Sequence, residues 1–192
     1  MNLPNKITIA RICLIPFVMF FYLASFIPHG KLISAIIFVV AAYTDFLDGY
    51  IARKNNLVTN LGKFLDPIAD KVLVMAGLLM IIADGTVLAP YGVIMVAIIL
   101  ARELIIGGFR SVAAASGKVL AADMWGKVKT TITDIALPFY MIFAWFVADS
   151  IITSATVLTV FEWICFGLLA VSTVLTIISG FNYVLKNKHV LK

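Results

Sequence analysis

Residues Thr44 to Lys71 read TDFLDGYIARKNNLVTNLGKFLDPIADK, and they carry four aspartates, two on each side of a short polar segment. The rest of the chain makes this stretch unusual, because 62% of all residues are hydrophobic and only 13% are charged. Carboxylates are costly inside a membrane span unless they are paired, neutralised or bound to metal. The grouping of these four acids therefore needs a functional explanation.

The composition predicts an integral membrane protein of the all-α class. The mean hydropathy is +1.08. Only 13% of the residues are charged, whereas about a quarter are charged in soluble domains. About 20 apolar residues cross a bilayer as a helix. We predict a six-transmembrane-helix bundle that forms one domain over residues 1–192, with spans near residues 8–28, 32–53, 66–83, 90–110, 131–148 and 157–185.

Basic residues predict how this bundle lies in the membrane. If the N-terminus is cytoplasmic, all of the fifteen Lys and Arg residues except Lys31 fall on the inner side. This asymmetry follows the positive-inside rule and predicts that the N- and C-termini are both cytoplasmic, in the cell's inner (cytoplasmic) membrane. The net charge of +5 then indicates contact with anionic lipid headgroups of the bilayer. We expect no nucleic acid partner, because no base-reading module is visible.

The spacing of the acids predicts that they face one another. On a helix, Asp45, Asp48, Gly49, Ala52 and Arg53 fall within an arc of roughly 140°. Asp66 and Asp70 are one turn apart and therefore lie side by side. The intervening Asn-, Gly- and Lys-rich segment is typical of a short turn, so an antiparallel hairpin would bring both pairs together near the inner membrane surface.

Four carboxylates at one place favour a divalent cation. Oxygen ligands suit Mg²⁺ or Mn²⁺, and the hairpin contains no His or Cys that would favour zinc. Four acids suffice for two ions, an arrangement that is common in displacement at phosphorus. Taken singly, the same residues allow simpler roles: an aspartate could pair with Arg53 or Lys71, and Gly49 and Ala52 could serve close helix packing.

These seven positions and one further glycine identify the chain as resembling the CDP-alcohol phosphotransferase family. That family's signature is D-x2-D-G-x2-A-R-x8-G-x3-D-x3-D, and every fixed position is present. The segments NLPNKITIARICLIP (2–16), AREL with GGFR (101–110) and GKVKT (126–130) are similar to bacterial members that use glycerol 3-phosphate. The matching positions of the core signature are Asp45, Asp48, Gly49, Ala52, Arg53, Gly62, Asp66 and Asp70.

The resemblance implies transfer of a phosphatidyl group from CDP-diacylglycerol to an alcohol, with release of CMP. It implies that Asp45, Asp48, Asp66 and Asp70 bind metal and that Asp70 is also the catalytic base. It implies a possible homodimer. It further implies that CDP-diacylglycerol and its nucleotide are bound by Asn5, Thr8, Asp48, Gly49, Ala52, Arg53 and Gly62.

Two polar groups outside the signature each allow two interpretations. Asn5, Thr8 and Arg11 recur every three residues and share one broad helical face, which would line the nucleotide site that the resemblance implies. Alternatively, Asn5 could cap the helix while Arg11 extends to the headgroups. Arg102, Arg110, Lys127 and Lys129 could form a phosphate-binding cluster for an anionic acceptor such as glycerol 3-phosphate. The same four residues could also serve only as topology anchors.

The amino-acid sequence alone is also compatible with other functions. Other members of the family, which make cardiolipin, phosphatidylserine or phosphatidylinositol phosphate, share the signature. An ion-coupled transporter would use intramembrane aspartates without releasing CMP, and a scaffold would tolerate their replacement by alanine. The basic cluster favours a phosphorylated acceptor over serine.

Overall fold

The computed structural model describes residues 2–54, 59–84, 90–115 and 124–187; within these ranges the side chains of residues 46, 50, 52, 53, 60, 63, 114 and 115 are not described. Its described parts are all helical and contain no strand, which confirms the all-α class. The helices are α1 (Leu3–Leu23), α2 (Gly30–Lys54), α3 (Asn60–Asp84), α4 (Tyr91–Ala115), α5 (Met124–Ala148) and α6 (Ala155–Asn187).

The junction between α1 and α2 corrects the predicted first span. The apolar residues after Leu23 predicted a helix to residue 28, but the chain turns there. Pro28 cannot donate a backbone hydrogen bond, and His29 adopts a left-handed φ of 57°. A Cβ on Gly30 would lie 2.5 Å from the carbonyl oxygen of Phe21, so only glycine permits this close approach of α2 to α1.

Five of the six described helices are long and apolar enough to cross a membrane, by length and composition: α1, α4, α5, α6 and, in α2, the segment Gly30–Gly49. The protein is therefore a multi-pass membrane protein. The exception is α3, in which every stretch of 18 residues holds at least three charged side chains. These charges include the signature acids Asp66 and Asp70, so the helix that we predicted to span at 66–83 is not among the five candidate spans.

The described chain divides into two compact units. One unit comprises Met1–Asp84 and Leu137–Phe161, and the other comprises Gly85–Ala136 and Glu162–Lys192. Helices α1 to α3 belong wholly to the first unit, and α4 belongs to the second. The expectation of a single domain over residues 1–192 stays a prediction.

In the first unit, α1 packs against both α2 and α3. Lys31, at the start of α2, pairs with Asp84, at the end of α3. At the other end, Asp48 in α2 and Asp66 in α3 both lie within hydrogen-bonding distance of Thr8. Since the start of one helix meets the end of the other, α2 and α3 form the predicted antiparallel hairpin.

In the second unit, polar and aromatic contacts join α6 to the helices beside it. Thr133 of α5 and Ser172 of α6 share a buried hydrogen bond of 2.6 Å between their hydroxyl oxygens. Tyr183 of α6 is buried with Phe109 of α4, their ring centroids 6.0 Å apart. These contacts position the basic residues of α4 and α5.

Candidate active site

The polar face of α1 is buried. Asn5 is 5% exposed, and Thr8 and Arg11 are fully buried. Because they lie three residues apart on a helix, they point in neighbouring directions and share one face, as predicted. Because α1 packs against both arms of the hairpin, these side chains meet polar groups of α2 and α3 rather than solvent.

Thr8 is the point at which the two carboxylate pairs approach each other. Its hydroxyl donates to Asp66 Oδ1 at 2.7 Å, and Asp48 Oδ2 lies 3.3 Å from the same oxygen. A hydroxyl has one proton to donate, so the shorter contact with Asp66 is the dominant one. The predicted convergence of the hairpin acids is therefore seen for one acid of α2 and one of α3.

Arg11 supplies the positive charge in this cluster. Its two terminal guanidinium nitrogens pair with Asp45 and Asp48, and its Nε donates to Thr44 Oγ1 at 3.3 Å. A fully buried arginine with three partners does not extend to the headgroups, so that alternative is wrong. The sequence placed Arg11 on the correct face, but nothing in its spacing identified Asp45 and Asp48 as its partners.

Asn5 and Gly62 hold the start of α3 against α1. Thr59 precedes α3, and its hydroxyl oxygen accepts from the backbone N–H of Gly62 at 3.0 Å, which is a side-chain cap. The same hydroxyl donates to Asn5 Oδ1 at 2.9 Å. A Cβ on Gly62 would lie 3.0 Å from that oxygen. Asn5 is therefore inside α1 and does not cap it; the residue at the N-cap position is Asn2.

The remaining signature residues are located only in part. Asp70 lies in α3 one turn beyond Asp66 and is half-buried, whereas Gly49 lies in α2 directly after Asp48. The side chains of Ala52 and Arg53 lie outside the described part of the structure.

The carboxylates do not form a preassembled metal shell. Within the described ranges, no three His, Cys, Asp or Glu side chains are grouped closely enough to hold a metal ion. The donor chemistry nevertheless suits a hard cation, because Asp45, Asp48 and Asp66 share their surroundings with the positive charge of Arg11. Among the side chains that the structure describes here, three carboxylates lie near one guanidinium, and a divalent ion would neutralise the remaining negative charge.

The four basic residues of the predicted acceptor cluster separate into different environments. Glu103 Oε1 accepts from Lys129, which is 2% exposed, and lies 3.3 Å from an Arg102 nitrogen. Arg102 also donates to Ser179 at 3.0 Å. The contact of Glu103 with Lys129 was not predicted, since 26 residues separate the two.

The other two members of that cluster are exposed. Arg110 lies two turns beyond Arg102 in α4, where its Nε donates to the Tyr183 hydroxyl at 3.1 Å and its guanidinium lies over the ring. Lys127 lies near the start of α5. The structure therefore brings only Arg102 and Lys129, of these four, together at Glu103.

The family model for CDP-alcohol phosphatidyltransferases matches residues 1–178. The chain belongs to this family. It is 43% identical to the CDP-diacylglycerol--glycerol-3-phosphate 3-phosphatidyltransferase of Bacillus subtilis, over 100% of this chain and 97% of that protein. It is 39% identical to the Rickettsia bellii protein of the same name, over 95% and 93% of the two chains. A third relative with this name, from Haemophilus influenzae, is 42% identical over 71% of this chain and 73% of its own length.

Membership of the CDP-alcohol phosphatidyltransferases confirms the resemblance that the eight signature positions indicated. The structure adds a contribution from α1 that the signature does not contain. In this family member, Thr8 and Arg11 contact three of the four signature aspartates, and Asn5 contacts the cap of the helix that carries the second pair.

Proposed function

We propose that this chain transfers the phosphatidyl group of CDP-diacylglycerol to sn-glycerol 3-phosphate, giving phosphatidylglycerol phosphate and CMP. Relatives from several bacteria with this activity in their name align over nearly the whole chain and support the proposal. The observation that carries it is the meeting of Asp45, Asp48 and Asp66 around Thr8 and Arg11. A polar cluster of this kind inside an apolar bundle suits a lipid pyrophosphate donor.

The signature acids would hold the divalent metal. Asp45, Asp48, Asp66 and Asp70 would bind Mg²⁺ or Mn²⁺, and four carboxylates are sufficient for two ions. When bound, the ions would neutralise the pyrophosphate and lower the proton affinity of the acceptor hydroxyl. The excess of carboxylates over guanidinium charge around Arg11 supports this assignment.

Asp70 would act as the general base. It would take the proton of the acceptor hydroxyl as that oxygen forms a bond to the lipid-proximal phosphorus, while the bond from this phosphorus to the CMP oxygen breaks. Its position in α3, one turn beyond Asp66, supports this role, because Asp66 is one of the acids that meet at Thr8.

The donor nucleotide would lie against the start of α1 and the two ends of the hairpin. Asn5 and Thr8 would pair with polar groups of the cytidine, and the lack of a side chain on Gly62 keeps the space beside Asn5 open. Arg53 would bind phosphate. Asp48, Gly49 and Ala52 would line the same pocket on the α2 side.

The acceptor phosphate would be bound by Arg102, Arg110, Lys127 and Lys129. Glu103 offsets one of the positive charges of Arg102 and Lys129, so the pair keeps a net charge of about +1 for an anionic ligand. Guanidinium groups suit phosphate because their donors form a fork. A phosphorylated alcohol fits this set better than serine.

We also propose the membrane arrangement that the basic residues predict. Both termini would be cytoplasmic, α3 would complete a six-span bundle, and the hairpin acids would lie at the cytoplasmic surface of the inner membrane. The chain would act as one domain, and exposed apolar faces such as those carrying Phe17 and Phe181 would permit a homodimer.

The acceptor is tested by incubating purified protein, Mg²⁺ and CDP-diacylglycerol with one candidate acceptor at a time. We expect CMP release to be fastest with glycerol 3-phosphate, compared with inositol phosphate, serine or phosphatidylglycerol. Preference for an acceptor without phosphate would assign the chain to another branch of the family. Ion transport into vesicles without CMP release would identify a transporter instead.

The base is tested by Asp70→Asn. This substitution should abolish turnover and leave CDP-diacylglycerol binding measurable, because the amide keeps the size of the side chain and cannot accept the proton. Asp134→Asn, on α5, is a suitable control for the loss of an intramembrane carboxylate outside the signature. Retained activity in Asp70→Asn would refute the assignment.

A further inference from the structure

Arg11 occupies carboxylates that the proposed function assigns to metal. It is fully buried and directs one terminal nitrogen to Asp45 and the other to Asp48. Its Nε donates to Thr44 at 3.3 Å. All three nitrogens of the guanidinium therefore have a partner, and two of those partners are proposed metal ligands.

A guanidinium and a divalent ion compete for these carboxylates. Asp48 Oδ2 accepts from Arg11 and also lies 3.3 Å from the Thr8 hydroxyl, so that oxygen is already in use. Two cations held by the same carboxylates would also repel each other, and they are screened least beside Asp48, which is buried, whereas the side chain of Asp45 is 45% exposed. Arg11 uses one oxygen of each carboxylate, so it is the repulsion between the two cations that favours release of at least one carboxylate by Arg11 when metal binds.

A released guanidinium needs another anion, since an unpaired charge at a fully buried position is strongly disfavoured. The pyrophosphate of the proposed donor is the anion that arrives at this site, and arginine binds phosphate through the same paired donors that it uses for carboxylates. Metal binding and nucleotide binding would then favour each other through Arg11.

We propose that Arg11 is a positioning residue that acts as an internal cation: it holds Asp45 and Asp48 in the metal-free protein and transfers to a phosphate of the nucleotide when divalent metal binds. This inference rests on the proposed function, because it takes the signature acids as metal ligands. It assigns to α1 a role in the order of loading that the signature on α2 and α3 does not contain.

The test measures Mn²⁺ binding directly, by electron paramagnetic resonance of the free ion, with purified protein in detergent. Wild-type protein and Arg11→Met are titrated with Mn²⁺ alone and again with saturating CMP. For Mn²⁺ alone, we expect affinity about tenfold higher in Arg11→Met, because the competing charge is gone. In the wild type, CMP should raise the affinity for Mn²⁺ about tenfold or more, which lies within the roughly 5- to 150-fold range of coupling between two ligand sites. In Arg11→Met, CMP should raise this affinity by clearly less.

Two further variants separate charge from packing. Arg11→Lys keeps a competing positive charge, so its affinity for Mn²⁺ alone should stay near that of the wild type. Lys31→Met removes the ion pair with Asp84 at the opposite end of the hairpin and should leave both Mn²⁺ titrations unchanged. Should Arg11→Met fail to fold, Arg11→Gln also removes the charge and carries the same expectation.

The outcomes distinguish this inference from the proposed function. Unchanged or weaker binding of Mn²⁺ alone in the charge-removing variants, with wild-type coupling to CMP, would overturn the exchange and leave the metal site intact. No Mn²⁺ binding to the wild type, with or without CMP, would overturn both.

Discussion

Replacement of Thr8 by valine isolates the hydroxyl that connects the two arms of the hairpin. Valine has nearly the same shape, so the change creates little cavity at this fully buried position. What is lost is the 2.7 Å hydrogen bond to Asp66, together with longer contacts at 3.1 Å to the Pro4 carbonyl and at 3.3 Å to Asp48. A hydrogen bond to a charged partner contributes about 1.5–3 kcal/mol.

We therefore expect Thr8→Val to lower the unfolding free energy by about 1.5–3 kcal/mol, which corresponds to roughly 3–12 °C in Tm for a chain of this size. If the hydroxyl also contacts the nucleotide, the KM for CDP-diacylglycerol should rise by about 10- to 150-fold, the same free energy expressed as affinity. Thermal unfolding followed by tryptophan fluorescence measures the first effect, and CMP release in mixed micelles measures the second.

Thr176→Val is the matched control. Thr176 is also fully buried, but its hydroxyl donates to a neutral backbone carbonyl, that of Ser172, at 2.7 Å. It should lose only about 0.5–1.5 kcal/mol and keep the wild-type KM. A Thr8→Val protein with unchanged stability would refute the energetic reasoning, and one with unchanged KM would remove Thr8 from the nucleotide site.

Three further expectations follow from packing, charge and metal. Gly77→Ala places a Cβ 2.9 Å from a methyl of Leu137 and should destabilise the protein, because overpacking of about 1–3 kcal/mol exceeds the helix-propensity gain of up to about 1 kcal/mol. Gly167 has open space around it, so Gly167→Ala should stabilise the protein. Thermal unfolding of both variants shows whether the two changes in stability have opposite signs. Glu103→Gln removes the carboxylate that pairs with the buried Lys129 and should lower the free energy of unfolding by about 3–5 kcal/mol. A second change, Lys129→Met, should restore part of this loss, because it removes the unpaired charge. Equal stability of the single and double variants would contradict the pairing. Chelation by EDTA should stop CMP release, and added Mg²⁺ or Mn²⁺ should restore it; activity that persists in EDTA would exclude the metal role.

Much of the fold could be predicted from hydropathy, because each apolar run forms the middle of a helix. The ends of the helices could not, since backbone hydrogen bonding extends helices through polar residues. α3 begins at Asn60 rather than near 66, and α5 at Met124 rather than near 131. In the opposite direction, the apolar residues after Leu23 form a turn because Pro28 and the left-handed His29 interrupt the helix.

The candidate site shows the same division between local and long-range information. Helical periodicity predicted that Asp45 and Asp48 share a face and that Asn5, Thr8 and Arg11 share another. It contained no information on which faces meet, because partners 34 and 37 residues apart are selected by the packing of whole helices. The pairing of Arg11 with the acids is a result of that packing and was therefore missed.

The most direct test of the central claim counts metal ions on the signature acids. Equilibrium binding of Mn²⁺ in the presence of CMP would be compared between wild-type protein and a variant with asparagine at positions 45, 48, 66 and 70. We expect two ions on the wild type and none on the variant, which should release no CMP and should be less stable, because the buried Arg11 loses its two carboxylate partners. Equal Mn²⁺ binding by the two proteins would contradict the claim that these aspartates hold the metal.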